Sequence, residues 1–223
     1  MESDEGKLKA FILGATGEVG KALVHEVLNN ENFASVVLIG RRKMDVASVN
    51  SQKLEQRVVD FDHLQSQSSA FSNFDVGFCC LGTTRAKAGA EGFVKVDHDY
   101  VVDSAKQAKE GGCKHFVLLT AVGANENSMF LYNKTKGLAE EHVKNLGFER
   151  FSIFRPGLLL CDRVESRPLE KIAQRFSKLV DFGKWYSVPV ESVAKAMVIS
   201  ALKPQTNPVE IFSHADIVKL ASS

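Results

Sequence analysis

Tyr132 and Lys136 stand four residues apart in the run Tyr132-Asn133-Lys134-Thr135-Lys136. On a helix that spacing puts both side chains on one face. A phenol, with an ordinary pKa of about 10, is a poor proton donor until a nearby cation stabilises its phenolate. Lys136 is such a cation, and it can also hydrogen-bond a ribose. Tyr132 would then protonate a carbonyl oxygen during its reduction. Thr120, closing an apolar run upstream, is expected to donate a third hydrogen bond to that oxygen. Spacing alone is a weak signal, and Tyr100 and Tyr186 lack a lysine at the same offset. Position strengthens it, because the pair follows the fifth expected strand and would face a crevice opened by the first.

That crevice is announced by Gly14-Ala15-Thr16-Gly17-Glu18-Val19-Gly20, which follows the apolar run Ala10-Phe11-Ile12-Leu13. Leu23, Val24, Val27 and Leu28 then recur at helical spacing. Strand, glycine turn and helix in this order bring backbone N–H groups to a pyrophosphate at a helix N-terminus. Gly14 permits the tight turn, Gly17 the close approach of a ligand, and Gly20 the packing of helix against strand. The sequence therefore predicts a dinucleotide site.

About twenty residues further on, an acidic residue would bind the ribose 2′-hydroxyl of NAD, whereas arginine accommodates the 2′-phosphate of NADP. The chain reads Ile39-Gly40-Arg41-Arg42-Lys43. Guanidinium forks suit phosphate oxygens, so Arg41 is expected as the main 2′-phosphate ligand and Arg42 as a second. The alternative is a solvated basic loop. Asp60 and Phe61 end the third expected strand, where a carboxylate can accept from the adenine amino group. Leu81, Gly82 and Thr83 end the fourth, where small residues let the backbone pass close to the cofactor ribose. Arg155 reads first as a structural arginine beside the Pro156-Gly157 turn toward the nicotinamide, and is counted on the cofactor side.

The elements that must position these residues alternate along the chain. Strands are expected near Ala10–Leu13, Ser35–Ile39, Arg57–Val59, Val76–Leu81, His115–Leu119 and Phe151–Phe154, with helices between them, notably Ala90–Lys109 and Met129–Leu146. Such alternation predicts an α/β fold, a Rossmann-type doubly wound parallel sheet whose apolar strands are buried on both faces. One domain is expected, with a cofactor core over 7–157 and a small C-terminal substrate lobe over 158–223. The latter holds an amphipathic stretch (Leu169–Val180), a helix near Val190–Leu202, a short strand near Val209–Phe212 and a last helix opened by a capping box at Ser213-His214-Ala215-Asp216. Asp162, Arg163 and Arg167 suggest a loop over the site or solvated charges, and Trp185 and Tyr186 suggest a pocket wall or core.

The chain has 223 residues, 44% hydrophobic and 25% charged, with a formal net charge of +1. No basic field points to nucleic acid, and no apolar run has the length of a membrane span. The polar start resembles neither a secretory signal nor a transit peptide. Cys79, Cys80, Cys113 and Cys161 lack metal-like spacing, and none of the six histidines pairs with other ligands, so reduced core thiols, no metal and a cytoplasmic setting are expected.

Together these motifs resemble the short-chain dehydrogenase/reductase superfamily in an atypical branch. They are closest to the Tat-interacting oxidoreductase family, animal tumour-suppressor proteins related to a fungal mitochondrial group. The most specific matches are Val37-Leu38-Ile39-Gly40-Arg41-Arg42, Cys79-Cys80-Leu81-Gly82-Thr83-Thr84-Arg85, Phe154-Arg155-Pro156-Gly157 and Ser187-Val188-Pro189-Val190. The resemblance implies bound NADPH and Tyr132 with Lys136 as the catalytic pair. It also implies partners such as nuclear import receptors, roles in transcription, apoptosis and endosomal trafficking, and a possible place at the nuclear envelope. One departure stands out: the superfamily usually has serine after the fifth strand, and this chain has Thr120-Ala121. If Ala121 takes the serine's place, the lost donor costs on the order of a hundredfold or more in turnover. Two readings follow. One is an NADPH-dependent oxidoreductase acting on a small carbonyl. The other is an NADPH-sensing regulator with weak or vestigial catalysis.

Overall fold

Residues of β1 (Leu8–Leu13) face alternately to the two sides of a sheet, and both sides are core. Ala10 and Ile12 join one apolar cluster, while Phe11 and Leu13 join the other. A strand buried on both faces needs an uninterrupted apolar run, as the sequence has over Ala10–Leu13. The computed structural model describes residues 6–46, 51–160, 187–204 and 206–223.

After β1 come α1 (Glu18–Leu28), β2 (Phe33–Gly40), β3 (Leu54–Val58), β4 (Val76–Cys79), α2 (Arg85–Val94), α3 (Tyr100–Glu110) and β5 (His115–Leu119). They are followed by α4 (Leu131–Lys144), β6 (Arg150–Phe154), β7 (Leu158–Leu160), β8 (Ser187–Pro189), α5 (Val190–Leu202), β9 (Val209–Phe212) and α6 (His214–Ala221). Seven strands form one sheet in the order β3-β2-β1-β4-β5-β6-β9, all neighbours parallel. The strand order reverses between β1 and β4. In open sheets of this kind, the crevice beyond the carboxyl ends at that reversal is where ligands bind.

Two apolar layers hold the sheet. Leu23, Val24, Val27 and Leu28 of α1 pack with Val193, Ala194 and Met197 of α5 on one face. On the other, Val101, Ala105 and Ala108 of α3 and Ala139 and Val143 of α4 meet a cluster of phenylalanines. At its centre Phe11 lies edge-on to Phe71 and Phe74, with ring centroids 5.8 and 5.2 Å away. Burying each such side chain contributes about 1.5–3 kcal/mol. Gly77 is needed beside them, because a Cβ there would stand 2.1 Å from Phe11 Cζ.

Several boundaries differ from expectation. The third strand begins earlier, at Leu54, because Glu55, Gln56 and Arg57 lie on a half-exposed sheet edge and disguise it as polar chain. The helix expected over Ala90–Lys109 is divided into α2, a π-helical turn over Lys95–Asp99, and α3. Such a turn inserts a residue into the helical repeat, and here Asp97 is buried within it. The C-terminal residues also contribute to the core. β9 pairs with β6 as the seventh strand and α5 packs on α1, so the sheet does not end at residue 157. Ser213 and Asp216 form the expected capping box.

Cys79 and Cys113 are buried, and desolvation pushes both thiols up to about 12, so they remain protonated. Leu169–Val180, Cys161, Asp162, Arg163, Arg167, Trp185 and Tyr186 lie outside the described residues.

Candidate functional site

Gly14 sits at φ +75°, and a Cβ there would lie 2.4 Å from the carbonyl oxygen of Cys80. The turn leaving β1 is thus pressed against the end of β4, and only glycine fits. A Cβ on Gly20 would lie 2.2 Å from the Gly14 oxygen, so α1 is seated directly on the turn. Gly17 caps α1 through its backbone with no side-chain cap. A crevice of about 790 Å³ opens above, and Gly14, Ala15, Thr16, Gly17 and Glu18 line it. That volume falls within the roughly 300–1,000 Å³ of small-molecule sites. Val19 and Gly20 are buried behind the turn and support it without lining the crevice.

Arg41 and Arg42 form the wall beyond β2, both exposed. Among the described residues neither guanidinium has an ion-pair or hydrogen-bond partner, and Lys87 adds a third cation to the lining. Their loop is tied to β3 by Gln56. The Gln56 amide accepts from the Met44 N–H and donates to the Met44 carbonyl, each at 2.9 Å.

Phe61, Leu81, Gly82 and Thr83 line the crevice as expected, and Phe61 packs on Tyr100 with ring centroids 5.1 Å apart. Asp60 does not line it, which corrects the adenine assignment. Its carboxylate caps the following turn, accepting from the Asp62 N–H at 3.0 Å and lying 2.8 Å from His63 Nδ1. These bonds hold the Asp60 carboxyl below the usual carboxylate range and raise the His63 imidazole.

Lys136 is buried, and its Nζ lies 2.8 Å from Asp97 Oδ1. Asp97 Oδ2 accepts from the Thr83 N–H at 2.7 Å, tying this ion pair to the crevice lining. A Cβ on Gly82 would lie 3.2 Å from Asp97 Oδ1 and 3.7 Å from Lys136 Nζ. The ammonium therefore sits against the end of β4. Tyr132, one turn earlier on α4, is 44% exposed, and its ring stacks on Phe93 at 5.6 Å. Asp97 was not singled out by the sequence. Its signal was its place in the buried stripe Phe93, Asp97, Val101, Ala105 and Ala108, where a carboxylate needs a partner.

Thr120 requires a second correction. Its hydroxyl is buried, 2.6 Å from Glu140 Oε1 and 3.2 Å from the Phe154 carbonyl, and Thr120 does not line the crevice. Glu140 also takes both forks of Arg155, with Nε 3.0 Å from Oε1 and Nη2 on Oε2. Arg155 thus joins the end of β6 to α4, with its Nε and Nη2 engaged by Glu140. Tyr132, Lys136 and Glu140 succeed one another on one face of α4. Two ion pairs anchor that face.

Among the described residues no group of three His, Cys, Asp or Glu is placed to hold a metal ion. None of the described helices is long and apolar enough to cross a membrane.

A glycine turn at the reversal of a parallel sheet, under a crevice of this size, defines a dinucleotide-binding protein of Rossmann architecture. Residues 14–204 match the NAD(P)H-binding family, and the chain belongs to it, in the branch of the Tat-interacting proteins. It is 50% identical over 212 residues to Protein HTATIP2 of Rattus norvegicus, covering 94% of this chain and 88% of that protein. It is 38% identical over 229 residues to a Candida albicans protein named Protein FMP52, mitochondrial, covering 97% and 99%. The Bordetella bronchiseptica enzyme WbmH, solved in complex with NAD+, superposes with a TM-score of 0.70 at 15% identity, covering 93% of this chain and 75% of that one. This last likeness concerns the fold alone. The fungal names overturn the expected cytoplasmic or nuclear-envelope setting, since relatives from Candida albicans, Aspergillus niger and Eremothecium gossypii are all named mitochondrial proteins.

Proposed function

We propose that the protein is an NADPH-dependent oxidoreductase that reduces a small carbonyl compound. One observation carries the cofactor choice: Arg41 and Arg42 stand on the wall of the glycine-turn crevice with no hydrogen-bond or ion-pair partner among the described residues. Two guanidiniums so placed beside a dinucleotide site suit a 2′-phosphate and disfavour a site built for NADH. The crevice residues fit the cofactor, because Gly14 allows the tight turn and Gly17 leaves room for a pyrophosphate where a side chain would intrude.

When bound, the cofactor supplies the reducing equivalent, and the remaining work falls to the chain. Gly14–Glu18 would hold the pyrophosphate, and Arg41 and Arg42 the 2′-phosphate. Lys136, fixed by Asp97 beside Gly82, would hold the nicotinamide ribose one helical turn from Tyr132. Tyr132 then delivers its proton to the substrate oxygen. With Thr120 turned to Glu140, no hydroxyl from that position polarises the carbonyl, so turnover is expected to be slow.

A second reading is an NADPH-sensing regulator that binds protein partners, nuclear import receptors among those the resemblance implies. It is favoured by the engagement of the Lys136 ammonium with Asp97 and of the Thr120 hydroxyl with Glu140. One experiment separates the two: titration with NADPH and NADH, then a carbonyl panel with wild type and Tyr132→Phe. Cofactor oxidation that depends on Tyr132 supports the enzyme. Tight NADPH binding with no such oxidation supports the sensor.

A further inference from the structure

We infer that Gln56 is the positioning residue that sets cofactor preference, by fixing the loop that carries Arg41 and Arg42. The inference rests on the reading of this crevice as an NADPH site. Gly40 closes β2, and its carbonyl accepts from the Val59 N–H at 2.9 Å, so the start of the loop is fixed. Four residues later the chain is fixed again, where the Gln56 side chain takes both the N–H and the carbonyl of Met44 at 2.9 Å. This two-point contact reproduces with a side chain what a neighbouring strand does with its backbone. Among the described residues these are the only hydrogen bonds that tie residues 41–46 to the rest of the protein. Met44 and Val46 add apolar packing on the far side.

Between the two fixed points lie only Arg41, Arg42 and Lys43, all exposed. Pinning Gly40 and Met44 therefore settles where the two guanidinium stems leave the backbone. Without the Met44 bonds, the loop is ordered only when an anion binds, and that ordering is subtracted from affinity. The penalty falls on a ligand that uses the guanidiniums, a 2′-phosphomonoester. A dinucleotide with a free 2′-hydroxyl does not use them and is spared. Gln56 also lines the crevice, so a direct contact with the shared part of the cofactor is the competing explanation. It makes the opposite prediction, an equal loss for both dinucleotides.

The test is a set of dissociation constants for NADPH and NADH, read by cofactor fluorescence. The proteins are wild type, Gln56→Met, Gln56→Leu, Arg41→Ala and the Arg41→Ala/Gln56→Met double variant. Thermal midpoints establish that each is folded, and the two Gln56 variants delete the amide in different shapes. Wild type is expected to prefer NADPH. Either Gln56 variant should weaken NADPH about tenfold and leave NADH within about twofold. In the Arg41→Ala background, removing Gln56 should cost NADPH affinity much less than that, because the two residues act on one group. An unchanged NADPH-to-NADH ratio, or equal losses for the two, overturns the role of Gln56 and leaves the cofactor reading standing. A wild-type protein with no preference for NADPH overturns both.

Discussion

Lys136 Nζ and Asp97 Oδ1 lie 2.8 Å apart with both side chains buried, joining α4 to the π-helical turn between α2 and α3. Charges taken out of water are tolerated when they are paired, and removing one partner leaves the other uncompensated. Asp97→Leu should therefore cost about 3–5 kcal/mol in urea unfolding. Asp97→Asn should cost less, because its side-chain oxygen can still accept from the Thr83 N–H. Combining Asp97→Leu with Lys136→Met should restore much of the loss, since an apolar pair of similar size has no charge to desolvate. Additive losses in the double variant would mean that the two residues do not act as a pair.

Thr120 is predicted to matter for stability and not for turnover. Its hydroxyl donates to the buried Glu140 carboxylate, and a hydrogen bond to a charged group contributes about 1.5–3 kcal/mol. Thr120→Val keeps the shape and removes the donor, so it should lower stability by that order. In the carbonyl assay it should leave kcat within about twofold of wild type. A fall of about a hundredfold in kcat with stability unchanged would put the hydroxyl on the substrate oxygen instead.

What could be read from the chain and what could not divides along the range of the interactions. The β1 run, the glycine turn and α1 are adjacent in sequence and obey local rules, so Gly14 and Gly20 appear in the roles their spacing predicts. The place of Arg41 and Arg42 on the crevice wall was legible for the same reason, since they follow directly on β2. Asp97 and Lys136 meet only because the π-helical turn carries a carboxylate to α4, and no local period predicts that turn. Glu140 looks like an ordinary solvated helix charge until Arg155 and Thr120 arrive from two other strand ends. Thr120 itself was misplaced because a residue at the close of a strand can point to either face. Asp60 was misread because a carboxylate at a strand end serves equally as a ligand or as a cap for the next turn.

Acid should destabilise the protein through His115. Its imidazole is buried, with Nε2 2.9 Å from Ser152 Oγ, and desolvation, aided by the Arg150 charge, lowers its pKa to about 3. Above about pH 6.5 the imidazole is neutral in both folded and unfolded chains, and its contribution is constant. Below that, the unfolded chain takes up a proton that the folded chain refuses, so stability falls with pH. The slope is about 1.4 kcal/mol per pH unit, amounting to about 2 kcal/mol by pH 5. His115→Gln, which retains polar capacity toward Ser152, should flatten the dependence of urea-unfolding stability between pH 6.5 and pH 5. An unchanged slope in the variant would assign the acid sensitivity to other groups.

Two glycines of the turn should separate folding from cofactor binding. At Gly14, with φ +75°, alanine meets a strained backbone and the Cys80 carbonyl 2.4 Å away, and both obstacles are main chain. The left-handed conformation alone costs about 1–2 kcal/mol, and the contact forces β1 and β4 apart at their carboxyl ends. Gly14→Ala should therefore lower the unfolding midpoint clearly, with cofactor binding lost as a consequence. At Gly17, φ is −77° and an added Cβ meets only the Gly14 oxygen, at 3.3 Å. Gly17→Ala should fold with a stability within about 1 kcal/mol of wild type. Its methyl would stand where the crevice receives a ligand, so NADPH and NADH should weaken together, by about tenfold or more. Comparable unfolding midpoints for the two variants would remove the distinction between the glycine that makes the turn and the glycine that admits the cofactor.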